Sequence, residues 1–287
     1  MSGPVHVTGE VLSSKRVGAY RHLTLVAPGI ADRYRPGAFV AVSVGHTLPR
    51  GHLARRSFWI HKVRPTGSHG ATIEIVVAPV GVGSRWLAGL GQGAPVEVTG
   101  PLGRPFALPK EPVTTLLVGE GYAAAPLFPL AERLRERGCV VTMLLAAPDE
   151  SHLLGALDAR RTARAVTVVT GDGSVGARGS VASSVADVVA RSGADVVYAA
   201  GPTASLHAVA AAAEQHGAWS QTAVEVDQPC ATGLCQGCAV PVVGEAGAAR
   251  RVRACVEGPV FRGDRVRWTE LEAGRHDAVP DALERVR

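Results

Sequence analysis

Lysine, aromatic residues and long hydrophobic runs are all scarce in this chain of 287 residues. Lysine occurs only at Lys15, Lys62 and Lys110, so arginine carries nearly all of the positive charge behind the net charge of +5. That charge is spread along the chain, and aromatic residues make up only 5% of it. Without a basic stripe interleaved with aromatic residues, the sequence argues against a nucleic acid partner.

The sequence also lacks the patterns of a membrane or exported protein. Hydrophobic residues make up 46% of the chain, but no uninterrupted run approaches the length of a membrane span. Residues 1–6 show no basic region followed by an apolar stretch, which an export signal would have. We therefore expect a soluble, cytoplasmic protein without a membrane partner, long enough for two domains and a small further module.

Cysteine is rare too, yet four of the five cysteines lie near the C-terminus. Four residues separate Cys230 from Cys235, two separate Cys235 from Cys238, and sixteen separate Cys238 from Cys255. This is the C-x4-C-x2-C…C spacing of plant-type ferredoxins, which hold a 2Fe-2S cluster. The alternatives are a zinc site, whose ligands usually form two C-x2–4-C pairs, or two disulfides, which are typical of exported proteins. Cys139 precedes a predicted strand and is expected to be a buried core thiol.

The pattern of predicted secondary structure changes along the chain. Short β-type runs broken by glycine and proline predict an antiparallel barrel over residues 5–108. Buried strands then alternate with helical segments, which predicts a doubly wound parallel α/β domain. The predicted fold class is therefore α+β multidomain. The expected bounds are 1–109 for the barrel, 110–222 for the α/β domain, 223–270 for the cluster module and 271–287 for a polar tail.

Two segments of the predicted barrel can hold an aromatic or anionic cofactor. Residues 55–59, Arg-Arg-Ser-Phe-Trp, combine arginine, which binds phosphate bidentately, with rings that can lie against a flavin. The glycines and Ser84 of residues 81–87 can offer backbone N–H groups to a pyrophosphate. The alternatives are a barrel strand with outward arginines and an ordinary helix with Ser84 as its N-cap.

Two further segments follow predicted parallel strands, where open α/β sheets bind ligands. Residues 119–126 can place nucleotide phosphates at the start of a helix, although Glu120 adds negative charge there. Ala123 also stands where a glycine would allow a closer approach. The second segment is Gly201-Pro202-Thr203, after the strand at residues 195–200. The alternatives are a tight turn without a ligand for the first and a turn with a threonine cap for the second.

Taken in order, these segments resemble the electron-transfer subunit of two-subunit dihydroorotate dehydrogenase, within the ferredoxin–NADP reductase superfamily. The resemblance covers about residues 5–268. Its most specific part is residues 255–261, Cys-Val-Glu-Gly-Pro-Val-Phe, which look like the closing C-x-x-G-P-V-F of that family. The other matching segments are residues 56–59, 81–84, 100–103, 119–126, 172–179 and 200–202.

The resemblance implies three cofactors, FAD, NAD(H) and a 2Fe-2S cluster, and no catalytic side chain. The implied cofactor-binding residues are Arg56, Ser57, Phe58, Trp59, Gly81, Gly83 and Ser84 for FAD, and Gly119, Gly121, Gly201 and Pro202 for NAD(H). The implied cluster ligands are Cys230, Cys235, Cys238 and Cys255. Electrons would pass between these cofactors and the FMN-containing catalytic subunit of dihydroorotate dehydrogenase in a hetero-oligomer, as part of pyrimidine biosynthesis. The alternatives are a reductase module for another redox partner and a degenerate paralogue that only scaffolds a partner.

The sequence departs from the family's pattern in three places. Trp59 replaces a small hydroxyl residue near the flavin and is expected to pack beside the isoalloxazine. Glu120 and Ala123 alter the nucleotide turn, and NADH binding is expected to weaken if the Glu120 carboxylate points into the turn. Ala200 replaces a cysteine that family members place near the nicotinamide.

Overall fold

The computed structural model describes residues 3–45, 54–64, 67–68, 70–244 and 247–276. In the first third of the chain, six strands and one α-helix lie within these ranges. They are β1 Val5–Val17, β2 Tyr20–Val26, β3 Phe39–Val42, β4 Arg56–Arg64, β5 Thr72–Val77, α1 Val82–Ala88 and β6 Pro95–Leu102.

These described strands close into an antiparallel barrel in the order β1-β2-β5-β4-β3-β6. Successive side chains of a strand point to opposite faces, so alternate residues such as Leu23, Leu25, Ile73 and Ile75 fill the barrel interior and are fully buried. The predicted antiparallel barrel is therefore confirmed. The outer face of β2, β4 and β5 packs against the rest of the chain.

The second region alternates strands and helices. Its elements are β7 Thr114–Glu120, α2 Leu127–Glu136, β8 Val140–Ala147, α3 Ala156–Thr162, β9 Ala165–Thr170, β10 Ala177–Arg178, α4 Val181–Ser192, β11 Val196–Ala200, α5 Thr203–Gln215 and β12 Trp219–Ala223. The chain builds the sheet outward from β7 through β8 and β9, then returns to place β11 and β12 on the other side of β7. The neighbouring strands from β10 to β12 are parallel, as predicted. The topological switch point thus lies between β7 and β11, where ligands bind in folds of this class.

The last region contains the cysteine loop and a small hairpin. Its elements are β13 Ala239–Val243, β14 Ala249–Arg253, α6 Ala254–Glu257, β15 Val260–Arg262 and α7 Trp268–His276. The strand β15 pairs antiparallel with β12, so this region adds an edge strand to the α/β sheet. The helix α7 enters the predicted tail, and residues 277–287 of that tail lie outside the described residues. The domain bounds given by the sequence stay a prediction.

Two hydrophobic clusters hold the described residues together. One fills the barrel interior. The other runs from the α/β domain into the cysteine region and includes Phe39 and Trp59 from the outside of the barrel. Because the second cluster crosses all three regions, it fixes how they sit against one another. No helix among the described residues is both long enough and apolar enough to cross a membrane.

Candidate redox site

A cavity of about 780 Å³ lies where the three regions meet. Its walls come from β3 and β4 of the barrel, from Gly81 and Ser84 at the start of α1, and from Tyr122 after β7. Residues 224–229, which lead from β12 to the cysteine loop, form the opposite wall together with Gly237 inside that loop. A cavity of this size, with mixed apolar and polar walls at a domain junction, suits a large cofactor.

The strand β4 supplies the barrel wall of the cavity. Phe58 packs against the barrel interior, whereas the neighbouring Trp59 packs against the cluster outside it. The Trp59 Nε1 donates to Glu225 Oε1 over 2.9 Å, and its ring meets Phe39 edge to face. Ser57 Oγ donates to Gln228 Oε1 over 3.0 Å. All four β4 residues assigned to FAD border the cavity, and their contacts with a flavin stay a prediction.

Arg56 and the start of α1 form the part of the cavity suited to phosphate. No carboxylate of the described residues is within ion-pair distance of the Arg56 guanidinium, which donates to the carbonyl oxygens of Ala54 and Arg55. A Cβ at Gly83 would lie 3.3 Å from Arg56 Nε and 3.0 Å from Val44 Cγ2. Glycine therefore lets the arginine lie close against the helix start, where the first-turn N–H groups have no partner within the helix.

Ser84 does not cap α1 as the alternative interpretation expected. Gly81 is the N-cap residue, and Ser84 is the third residue of the helix, where its Oγ accepts from the Gly81 N–H over 2.9 Å. The serine hydroxyl thus reaches back and fixes the backbone that precedes the helix.

Glu225 is a site residue that the sequence analysis missed. Its Oε1 accepts from Trp59 and its Oε2 accepts from the Tyr122 hydroxyl over 3.1 Å. One carboxylate thereby joins the barrel to the α/β domain along the cavity wall. Glu225 follows β12 at the carboxyl end of a parallel strand, where ligands bind in such sheets, and this position could have identified it as a candidate site residue.

The structure brings the two predicted nucleotide segments together at the switch point. Gly119 of β7 and Ala200 of β11 are paired residues in the sheet, so Gly121 and Gly201 follow at the same edge. Gly121 has a φ of 56°, which favours glycine. A Cβ at Gly119 would lie 2.5 Å from Ala124 Cβ, so the turn packs too closely for any larger residue. The binding of NAD(H) by these residues stays a prediction.

The Glu120 carboxylate points to the first turn of α5, where its Oε2 accepts from Ser205 Oγ. A 3-10 turn at Gly121–Ala124 precedes α2, and the side chains of Ala125 and Leu127 at the start of that helix are buried. Phosphate binding at this helix start stays a prediction. The N-cap of α5 is Pro202, so the interpretation of Thr203 as the cap is wrong.

The four clustered cysteines are free thiols placed around one loop. Cys238 Sγ and Cys255 Sγ lie 3.3 Å apart and are buried. The backbone N–H groups of Cys235 and Gly237 donate to Cys230 Sγ and Cys235 Sγ over 3.3 and 3.4 Å. Four sulfur donors with N–H groups directed at two of them fit the thiolate ligands of an iron–sulfur cluster.

The surroundings of Cys230 and Cys255 shift the pKa values of their thiols in opposite directions. Burial raises the pKa of the Cys230 thiol, but backbone N–H groups of Cys235 and Thr232 outweigh it and lower the pKa to about 6. Burial and the neighbouring Cys238 raise the pKa of Cys255 to about 12. A thiol in that position gives up its proton readily when a metal ion takes the proton's place. Cys139, by contrast, is buried ahead of β8 as a core thiol, as predicted.

The fold and this site define the class of protein. A barrel, a doubly wound domain and an appended cysteine loop around one cavity make a reductase fold of the ferredoxin–NADP reductase type with an iron–sulfur domain. A solved NADH-dependent reduced ferredoxin–NADP oxidoreductase, described for flavin-based electron bifurcation, superposes with a TM-score of 0.80 at 27% identity. The match covers 93% of this chain and 92% of that one.

The particular family follows from two sequence comparisons. A family model described as the iron–sulfur cluster binding domain of dihydroorotate dehydrogenase B matches residues 229–267. The dihydroorotate dehydrogenase B (NAD(+)) electron transfer subunit of Desulforamulus reducens is 32% identical over 84% of this chain and 90% of its own length. A homologue of that subunit from Thermotoga maritima is 31% identical over 85% of this chain and 82% of its own length. The chain belongs to the family of dihydroorotate dehydrogenase B electron transfer subunits.

Proposed function

We propose that this chain carries electrons between NAD(H), FAD, a 2Fe-2S cluster and the catalytic subunit of a dihydroorotate dehydrogenase. One observation supports the proposal most strongly. Trp59 of the barrel and Gly237, which lies between the ligand positions Cys235 and Cys238, border the same cavity. A flavin in the cavity would therefore lie directly beside the cluster loop, as electron transfer between the two requires.

The residues around the cavity divide the binding work. Arg56 and the start of α1 would hold the diphosphate of FAD, and Ser57 and Trp59 would line the cavity beside its ring system. Glu225 links the barrel to the α/β domain through Trp59 and Tyr122. A bound flavin supplies the step between two-electron hydride chemistry and the one-electron chemistry of an iron–sulfur cluster. NAD(H) would bind at the switch point, where Gly121 and Gly201 follow paired strands at the same edge of the sheet.

The cluster loop is also the place where electrons leave the chain. Cys235 is exposed, and the neighbouring Leu234 side chain is 85% exposed. A large apolar side chain beside a redox ligand suits a protein surface that is covered by a partner. The catalytic subunit therefore docks over this loop, in a hetero-oligomer. Cysteines that bind a metal cluster, and not each other in disulfides, are typical of proteins in a reducing compartment, which supports a cytoplasmic location.

A second candidate keeps the same cofactors and changes the partner. The solved structure with a TM-score of 0.80 is a ferredoxin–NADP oxidoreductase, so one architecture of this kind works with a ferredoxin. In that case the loop around Leu234 would receive a small iron–sulfur protein instead of a dehydrogenase subunit.

Co-expression with the FMN-containing catalytic subunit of dihydroorotate dehydrogenase from the same genome tests the proposal. We expect a stable hetero-oligomer that reduces NAD⁺ with dihydroorotate. The matched Cys255→Ser complex should lose NAD⁺ reduction, while its catalytic subunit still oxidises dihydroorotate with an artificial dye. Failure to form the complex, together with reduction by ferredoxin, would favour the second candidate. A purified chain without flavin or cluster absorption bands would favour the scaffolding role.

A further inference from the structure

Two histidines and a glutamate meet on the outer face of the barrel, away from the redox cavity. His22 lies on β2, Glu74 on β5 and His61 on β4, and these three strands are neighbours in the barrel. One ligand atom from each residue lies within 4.8 Å of the other two. We propose that His22, His61 and Glu74 form a binding site for a divalent zinc ion between the barrel and the α/β domain.

The distances suit a single cation with the usual zinc bond lengths. His22 Nδ1 lies 2.9 Å and His61 Nε2 lies 3.8 Å from Glu74 Oε1. In a tetrahedral site with bonds of about 2.1 Å, neighbouring ligand atoms lie about 3.4 Å apart. The observed distances bracket that value, so small side-chain adjustments are enough to close the site. Two histidines and a carboxylate are an established ligand set for zinc, with water in the fourth position.

Local backbone structure aims His61 at the other two residues. The pairing of β4 with β5 shifts register between Ile60 and Lys62, so His61 sits at a bulge. Bulges of this kind redirect a side chain that regular alternation would place elsewhere. The His61 side chain is 1% exposed. A polar ring buried to this extent needs defined partners on its nitrogen atoms.

The hydrogen bond of His61 fixes which nitrogen is free to bind a cation. Its Nδ1 lies 3.1 Å from the Ala125 carbonyl oxygen, which can only accept. Nδ1 therefore carries a proton, and in the neutral ring Nε2 presents its lone pair towards Glu74. Histidines that bind metals typically hold their second nitrogen in this way, with N–H donated to a backbone carbonyl.

The other groups around the cluster leave it free to take a cation. His22 faces Glu74 through Nδ1, and its Nε2 has no hydrogen-bond partner among the described residues, so Nε2 can carry the ring proton while Nδ1 binds the cation. The adjacent positive charge is engaged elsewhere, since Lys62 Nζ lies 3.0 Å from Asp158 Oδ2. The carboxylate of Glu74 thus faces two imidazole rings, and a cation with its bound water completes the set.

The site would act on the junction between the two domains. His61 donates to Ala125 and packs edge-on against Phe128, both of which belong to the segment that follows the nucleotide turn. A cation held by three barrel residues would fix the His61 ring and thereby the position of the segment that contains Ala125 and Phe128 relative to the barrel. The inference does not depend on the identity of the redox partner.

Zinc analysis of the holoprotein tests the site. The protein, with FAD and cluster bound, is equilibrated with zinc sulfate and dialysed, and zinc, iron and flavin are measured in one sample. We expect about one zinc per chain at full iron content, with a shell of nitrogen and oxygen at about 2.0–2.1 Å in X-ray absorption. Bound zinc should also raise the Tm. Less than about a tenth of a zinc per chain, or a sulfur shell at about 2.3 Å, would overturn the proposal.

Variants separate the site from adventitious binding. His22→Gln and Glu74→Gln should each weaken zinc binding by about 10–100-fold and abolish the rise in Tm. His207→Gln is the matched control, because His207 and Glu272 form a comparable pair at 3.2 Å that has no second histidine beside it among the side chains that the structure describes. It should keep the zinc. Unchanged zinc binding in variants that retain iron and flavin would contradict the proposal, and the wild-type measurement decides the matter if both variants fail to fold.

Discussion

The cysteine loop (residues 230–238) and the nucleotide turn (residues 119–126) differ in how much protein packing holds them in place. The turn is closed by packing: Ala123, Ala124 and Ala125 are all buried, and Gly119 leaves no room for a side chain. The loop exposes Leu234 and has positive φ angles at the non-glycine residues Ala231 and Gln236. Such backbone conformations are unfavourable unless other interactions hold them in place.

The difference shows where each region obtains its stability. The turn is held by protein contacts, so it keeps its shape whether or not a nucleotide is bound. Only Ala231 and Cys238 are buried among loop residues 230–238, and the sulfur atoms of the loop provide the natural anchor for a metal cluster. Substitutions in the loop should therefore remove the cofactor altogether, whereas substitutions in the turn should adjust affinity by small factors.

The largest effect is expected from Cys238→Ser. Cys238 is 1% exposed and pairs with Cys255, so its loss removes a buried ligand that no neighbouring group can replace. Iron and acid-labile sulfide should fall from about two per chain to nearly none. Cys139→Ser is the control, since Cys139 is equally a buried thiol but lies far from the loop, and this variant should keep its iron. Stoichiometric zinc without sulfide in the wild type would contradict the assignment of the cluster.

A smaller effect is expected from Arg56→Ala in the flavin cavity. Arg56 has no carboxylate partner among the described residues, so its charge is available for the diphosphate of FAD. The loss of charge-assisted hydrogen bonds of about 1.5–3 kcal/mol should raise the Kd for FAD roughly 10–100-fold. Fluorescence titration of the apoprotein measures this. Arg64→Ala, at the far exposed end of β4, should leave the Kd unchanged, and equal affinities in both variants would exclude a role of Arg56 at the phosphates.

A still smaller effect is expected from Glu120→Gly in the nucleotide turn. The carboxylate stands beside the switch point, and at a partly exposed position its repulsion of a phosphate is on the order of 1 kcal/mol. Flavin reduction by subsaturating NADH, measured by stopped flow, should therefore become about fivefold faster. Glu111→Gly, which removes an exposed carboxylate before β7, is the control. Absence of flavin bleaching in both variants and in the wild type would mean that electrons enter from another donor.

The sequence predicted the features that depend on local pattern. Alternating residues such as Leu23 and Leu25 indicated the barrel, the buried runs indicated the parallel sheet, and cysteine spacing indicated the cluster loop. It did not predict that β15 joins the α/β sheet, because a strand as short as Val260–Arg262 is defined by its partner β12.

Contacts between distant segments account for what the sequence analysis missed. Glu225 becomes a site residue only because Trp59 and Tyr122 meet it from two other regions. Ala125, just before α2, is buried because His61 of the barrel contacts its carbonyl oxygen. No sequence pattern near Ala125 indicates this contact. Tertiary contacts of this kind do not produce a periodic pattern in the sequence.

The smallest and most specific effect is expected from Ser205→Ala, because Ser205 holds the Glu120 carboxylate at the first turn of α5. Without that hydroxyl the carboxylate is free to move over the switch point, and the loss of a hydrogen bond of about 0.5 kcal/mol should slow flavin reduction by NADH about twofold. In a Glu120→Gly background the same substitution should have no effect, since there is no carboxylate to release. The double-mutant cycle measured by stopped flow gives this coupling directly. An equal loss in both backgrounds would show that Ser205 acts on nucleotide binding by itself and not through the Glu120 carboxylate.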